Sequence, residues 1–248
     1  MAQVTDSLAP SPEHATTIGK SLVRVDARDR VTGRAVYPAD MHRPNMAHAR
    51  LLRSPHAHAV IRSIDTSRAE KLEGVFAVIT AADFPEIPLG AMIPMGETGG
   101  DMWMVAQVNM ARHKVFWVGQ PVAAVAARDR ATADAALALI SVDYEVLEAV
   151  TDIASAIRPG APVLHDHVVT KGVTPAATSP SNISSRTVIE RGSVDDALSG
   201  SATTASVSVI VDTAHQGYIE PQAMLAEVSA DGFATVWTST QGQFTTEL

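Results

Sequence analysis

The residues best suited to do chemistry lie near the end of the sequence, in HQGYIEPQAMLAEVSADGFATVWTSTQGQ from His215 to Gln243. Asp231-Gly232 is a turn dipeptide that supplies positive φ between two apolar runs, Ala223 to Val228 and Phe233 to Trp237. Pairing the runs as a hairpin around a two-residue turn sets Gln222 opposite Gln241, to within about one residue of register. The open end then gathers His215, Glu220, Gln222, Gln241 and Gln243 into one polar region. Gln241 is the main candidate. A neutral amide donates and accepts hydrogen bonds at once, so it can hold the polar edge of a cofactor, or an oxygen on a metal, without altering its charge. A strand-end glutamine in water is the plainer reading of that residue alone. Glu220 is a general base by type, but Pro221 follows it, and a carboxylate that fixes local backbone is an equal reading.

Nine histidines raise the question of metal binding. His56 and His58 stand in His-x-His spacing, with His42 and His48 nearby, and residues i and i+2 of a strand share a face. No third ligand of clear spacing accompanies them, and a Ser-Pro turn adjoins them, so a structural role is favoured. His165 and His167 receive the same reading. The glycines Gly96, Gly99 and Gly100 form no dinucleotide fingerprint, and neither a phosphate-binding Gly-Lys-Ser/Thr loop nor a Gly-x-Ser-x-Gly elbow occurs.

Composition narrows the classes further. The 248 residues carry a net charge of −8, against the basic patch that nucleic-acid binding needs. There is no cysteine, so disulfides, Cys-ligated zinc, iron–sulfur clusters and a thiolate nucleophile have no source within these residues. No apolar run reaches the ~18 residues of a membrane-spanning helix, and no secretory signal is recognisable at the N-terminus. A folded, cytoplasmic protein is expected.

The elements that must position these residues follow from pattern. Residues 1–17 are rich in Pro, Ser and Thr and read as a flexible tail, and Ile18 to Met41 as extended and turned. Strands are expected at Met46–Leu52, Ala59–Asp65 and, as a buried strand, Val75–Thr80, with a short helix from Thr66 to Leu72. Phe84 to Asn109, with its glycines, prolines and methionines, reads as an irregular excursion that either meets a partner or folds onto its own core. Strands at Val115–Val118 and Val122–Ala127, a helix from Ala131 and an alternating strand from Ser141 complete an α+β domain. Residues 151–181 read as a Pro/Gly-rich linker. Beyond it come strands at Ser185–Glu190 and Ala205–Val211, a helix at Ser193–Leu198 and the closing hairpin, a unit too small to bury a core alone.

Taken together, VRVDARDRVTGRAVYPADM, LLRSPHAHAVIRSIDTS, GVFAVITAADFP, VGQPVAAVAARDRATADAALALISVDYEVLEAV, HQGYIEPQA and STQGQF, in that order, resemble the molybdopterin-binding subunits of the xanthine dehydrogenase/aldehyde oxidase family of molybdenum hydroxylases. The resemblance implies an α+β fold: an α/β hammerhead domain over 18–150, then the first, β-rich part of a molybdopterin-binding domain over 182–248. It implies that Gln241, in STQG, matches the active-site glutamine beside the molybdenum, with Gly242 also at the cofactor, and that Glu220-Pro221 matches a mainly structural element. Members of the family continue for several hundred residues past this glutamine, through a Gly-rich stretch and a late glutamate base. The resemblance therefore implies a split or truncated subunit that works only within a multisubunit complex. Such a complex would share molybdenum–molybdopterin with a second molybdopterin-binding chain and carry iron–sulfur clusters and FAD on other subunits. It would oxidise a small molecule, an aldehyde or N-heteroaromatic carbon, with oxygen from water. The alternative is a non-catalytic scaffold that docks the catalytic chain to its iron–sulfur and flavin partners.

Overall fold

The computed structural model describes residues 17, 19–95 and 98–242. The helices are α1 (Ala27–Val31), α2 (Ser67–Glu70), α3 (Met102–Asn109), α4 (Arg130–Leu137), α5 (Ile153–Ile157) and α6 (Val194–Ser199). The strands run β1 (His48–Arg53), β2 (Ala59–Asp65), β3 (Val75–Thr80), β4 (Met92–Met95) and β5 (Thr98–Asp101). They continue as β6 (Lys114–Val115), β7 (Pro121–Ala127), β8 (Ser141–Val146), β9 (Met224–Val228) and β10 (Ala234–Thr238). Residues 43–213 make one compact unit, and the described residues up to His42 make a second with 214–242.

In the larger unit, β7 organises two antiparallel layers. It is the centre of the sheet β1-β7-β3, with Ala124 level with both Leu51 and Ile79. Side chains alternate across a strand, so β7 feeds a different core from each face. Val125 and Ala127 point to α4 and α2, where they meet Ala133, Ala136 and Ala69. Val122, of opposite parity, joins Ala59, Ala111 and Val115. Small residues dominate the first contact, which lets helix and sheet approach closely. Asp129 starts α4 by accepting the Thr132 amide at 2.7 Å, and hydrogen bonds from Thr132 hold its carboxyl below the usual range.

The second sheet, β6-β2-β8, covers the other core. The β2–β8 register shifts between Ile61 and Ser63. That bulge keeps Ile61 opposite Tyr144 and Ile64 opposite Val142, so both isoleucines reach the same core. Val75–Thr80 has the expected bounds but is not buried throughout. It is a sheet edge, and Phe76 is 63% exposed.

Phe84 to Asn109 is more ordered than the sequence reading. It holds the β4–β5 hairpin, followed at once by α3. Asp101 caps that helix, accepting the Met104 amide at 3.1 Å. MWMVAQVN is apolar nearly all round, so it presents no stripe by which a helix could be recognised. Gln120, fully buried, secures the C-terminal end of this region. Its carbonyl oxygen accepts the Phe116 amide and its amide nitrogen donates to the Gln107 carbonyl, each at 2.7 Å.

Residues 151–186 are irregular but tied down. Asp152 caps α5, and Asn182 accepts from the Leu164 amide while donating to the carbonyls of Ala156 and Pro162. The expected helix forms as α6, shifted by one residue, with Ser193 as its cap. The other two expected elements do not form. Ser185 makes an isolated bridge with Lys171, and Ala205–Val211 is extended without a ladder. Its alternating pattern suits a strand, yet a strand exists only against a neighbour, and among the described residues none lies beside it.

In the smaller unit β9 and β10 pair with Leu225 opposite Trp237, and Leu225 is buried. The turn differs from the two-residue expectation. Gly232 N–H donates to Ser229 O, and Ser229 N–H donates to Phe233 O, each at 2.9 Å, which makes a three-residue loop. Gly232 sits at φ 87° as the left-handed residue that such a loop requires.

Two measurements check these assignments. Gln120→Ala orphans a backbone donor and a buried acceptor, and is expected to cost about 2–4 kcal/mol in urea unfolding. Gly232→Ala places a Cβ in the left-handed region at about 1–2 kcal/mol, so amide exchange in β9 and β10 should speed up roughly 5- to 30-fold.

Candidate functional site

The hairpin brings most of the expected polar cluster to its open end. The ladder continues past the strands through Ser239 N–H to Ala223 O at 3.4 Å. In that register Gln222 stands level with Thr240, and Pro221 with Gln241, within the one-residue margin expected. The members then separate into small groups. His215 Nδ1 accepts the Gly217 amide at 3.0 Å, and its ring lies 4.9 Å from that of Tyr218. Gln222 Nε2 donates to the Tyr218 hydroxyl at 2.5 Å. Ser239 Oγ donates to Glu220 Oε1 at 3.4 Å and to the Pro221 carbonyl at 3.2 Å.

Glu220 is thus engaged in bracing the two strand ends. Its charge also favours the Arg30 guanidinium of the same unit, whose pKa is raised chiefly by its hydrogen bond to Asp26. Gln241 is exposed, beside a tight local turn in which Gly242 N–H donates to Thr240 Oγ1 at 3.1 Å. Gln243 lies outside the described residues. The region is uncharged apart from Glu220: amides, hydroxyls and backbone groups, open to solvent. Such a set can orient a polar molecule by hydrogen bonds, while its two basic side chains, Glu220 and His215, are each engaged in a local hydrogen bond.

Sequence reasoning missed Tyr218, Ser239 and Thr240. For Thr240 a signal existed, since a hydroxyl residue two positions before a glycine favours a side-chain-to-backbone turn. Ser239 had none, because its bonds to Glu220 and Pro221 arise only when the strands pair.

The histidines distribute differently from any His-x-His pair on one face. His56 meets Tyr144 edge-on at 5.0 Å, whereas the buried His58 bonds the Glu148 carbonyl through Nδ1 at 2.7 Å and stacks at 6.2 Å on Phe116. His165 and His167 converge on Trp103 and Phe116. Burial, then His167 and Lys114, lower the pKa of His165. Among the described residues no group of three or more His, Cys, Asp or Glu side chains could hold a metal ion. Among the same residues no helix is long and apolar enough to cross a membrane.

Comparison with known proteins agrees with this architecture. Residues 32–148 match the aldehyde oxidase and xanthine dehydrogenase a/b hammerhead domain, and residues 176–248 match the molybdopterin cofactor-binding domain. A probable xanthine dehydrogenase subunit of Bacillus subtilis is 33% identical over 89% of this chain and 27% of that protein. The carbon monoxide dehydrogenase large chain of Afipia carboxidovorans is 38% identical over 68% of this chain and 20% of that protein. Among solved structures, quinoline 2-oxidoreductase from Pseudomonas putida 86 superposes with a TM-score of 0.74 at 31% identity, over 90% of this chain and 27% of that one. The chain therefore spans about a quarter of the length of such relatives. With two successive domain matches and a matching fold, the chain belongs to the xanthine dehydrogenase/aldehyde oxidase family of molybdenum hydroxylases and corresponds to the N-terminal part of their molybdopterin-binding subunits.

Proposed function

We propose that this chain forms one wall of the cofactor site in a cytoplasmic molybdenum hydroxylase or dehydrogenase, which oxidises an aldehyde or N-heteroaromatic carbon with oxygen from water. The observation that carries the reading is Gln241 in STQG, exposed at the open end of a formed hairpin, within the stretch that matches a molybdopterin cofactor-binding domain. The donor set there fits such a cofactor. It is neutral and rich in amide and hydroxyl groups, as a pterin edge and a metal's oxygen atoms require. Gln241 and Gly242 are the residues proposed to hold it.

When bound, molybdenum–molybdopterin supplies the transfer of oxygen to carbon and takes up the two electrons released. The Gln241 amide orients one oxygen of the cofactor by hydrogen bonding, a positional and electrostatic role that leaves the charge of the site unchanged. Gly242, without a side chain, lets backbone approach the cofactor closely. Ser239, braced on Glu220 and Pro221, holds the strand end from which Gln241 projects. The base is proposed to be a glutamate elsewhere in the complex.

The wall needs a complement. Val207 is 85% exposed and Ile210 90%, on an extended segment with no ladder. Such a segment is a template for another strand. We take its partner to be a second molybdopterin-binding chain that supplies the remainder of the cofactor domain. The proposed division is a tail over 1–17, a hammerhead domain over 18–150, a connection over 151–181 and the start of the molybdopterin-binding domain over 182–248. Iron–sulfur clusters, whose cysteine ligands these residues do not supply, and FAD are proposed to sit on other subunits, and the substrate is a small molecule.

The scaffold reading has one observation in its favour. An apolar groove of about 320 Å³, walled by Phe84, Ile87, Met102, Trp103 and Met110, lies on the larger unit away from Gln241 in sequence. A chain that only docked subunits together would use such a surface.

Purification of the native complex, with mass spectrometry of every chain and metal analysis, should return a second molybdopterin-binding chain, iron–sulfur and flavin subunits and molybdenum. In that complex Gln241→Ala is expected to lower turnover by roughly 100-fold, with subunit composition and molybdenum content intact. Turnover equal to wild type would reject the catalytic wall and favour the scaffold.

A further inference from the structure

We propose that His165 is the proton sensor of a latch that holds residues 164–186 against α3 and the end of β6, within the larger unit, at neutral pH and releases them on acidification. The latch is a cluster of rings drawn from four places in the chain. Phe116, just past β6, lies 4.4 Å from His165 and 6.2 Å from His58. Trp103 of α3 lies 6.3 Å from His165 and 4.3 Å from His167, and the two imidazoles are 6.0 Å apart. Around it the chain closes on itself through Val168 N–H to His165 O, Ser181 N–H to Val168 O, Arg186 N–H to Lys171 O and the Asn182 clamp.

The cluster suits neutral rings and opposes charged ones. His58 Nε2, His165 Nδ1 and His167 Nε2 are buried without a hydrogen-bond partner from the protein. A proton on such a nitrogen would have no acceptor, and burial penalises the charge directly. The charged groups that face His165 come from every side. Lys114, on β6, donates to the Leu164 carbonyl at 3.4 Å and already sits 5.8 Å from the centre of the Phe116 ring. The cation–π attraction available to an imidazolium on Phe116 is therefore shared with an existing cation. His58 and His167 act in the same sense as Lys114. Asp166 alone opposes, and its side chain is 86% exposed, so solvent screens it.

The direction of the response follows. In the latched state the pKa of His165 lies below its ordinary 6.5, with burial the first cause. The released state exposes the ring and takes up the proton more readily. Above about pH 6.5 both states hold a neutral imidazole and the latch is at full strength. As pH falls below that value the released state gains a proton that the latched state resists. At pH 5.5 one such histidine favours release by at most about tenfold, the limit in which the latched ring stays neutral. The segment concerned runs from the stretch between the two regions that match family domains, residues 32–148 and 176–248, into the start of the second.

The test is hydrogen–deuterium exchange on the 248-residue chain at pH 7.5 and 5.5, with rates normalised for the intrinsic pH dependence. The expected result is a loss of protection, of up to about tenfold, at Val168, Lys171, Ser181 and Arg186 at the lower pH, while β7 amides keep theirs. His165→Phe, which keeps a ring on Phe116 but cannot titrate, should abolish the difference. Equal protection at both pH values overturns the proposal, as does an undiminished loss in the variant. NMR titration of the wild-type His165 ring decides the matter even if the variant does not fold. A midpoint below 6.5 supports the latch, and a midpoint at or above 6.5 overturns it.

Discussion

The larger unit depends on the burial of β7 from both faces. A strand with one wet face can slip or fray and keep its core. A strand whose odd and even residues serve different cores cannot, because a shift of one residue exchanges the two sets. Val125 and Ala127 fill the contact with α2 and α4, and Val122 fills the contact with β2 and β6. The composition PVAAVAA matches that demand, with small residues where a helix must come close and a branched one where a gap must be filled. Arg50 and Asp134 pair at 2.9 Å across the β1–α4 contact, but both are exposed and contribute little beside the apolar core.

Between the regular elements, order comes from single amides. Gln120 closes the chain between Gln107 and Phe116, and Asn182 does the same for 156–164. Each side chain satisfies at least two backbone groups that no helix or strand claims. That is how long stretches without regular structure remain defined. The ring cluster around His165 extends the same theme with unsatisfied nitrogens, so its order depends on the rings staying neutral.

The hairpin that bears Gln241 is built on a different scale. Leu225 is its buried apolar residue, and most of the polar groups at its open end bond to near neighbours. Its register, however, is well determined. The three-residue loop, the left-handed Gly232 and the Ser239–Glu220 brace agree on one alignment. A polar residue at the end of such a hairpin is held in position without being buried, a useful condition for one wall of a site.

Several features were legible in the residues alone. Alternation in SVDYEV, the β-branched run VFAVIT and the Asp-Gly turn identified their strands and hairpin, because each carries its own local signal. The ordered motifs from VRVDARDRV to STQGQF identified the family, and with it Gln241 as the candidate. Other features lay beyond local reading. α3 has no polar face, and Asp101 becomes a cap only once the preceding hairpin has formed. Ala205–Val211 has the pattern of a strand but no ladder partner among the described residues, and a ladder belongs to a pair, never to one segment. Gln120 and Asn182 read as ordinary polar residues until the chain closes around them. The sequence by itself determined the family, the α+β class and the closing hairpin to within one residue of register. Only the tertiary structure decided the two-faced burial of β7, the amide clamps and the meeting of His58, His165 and His167, since these depend on groups far apart in the chain being brought within a few ångströms.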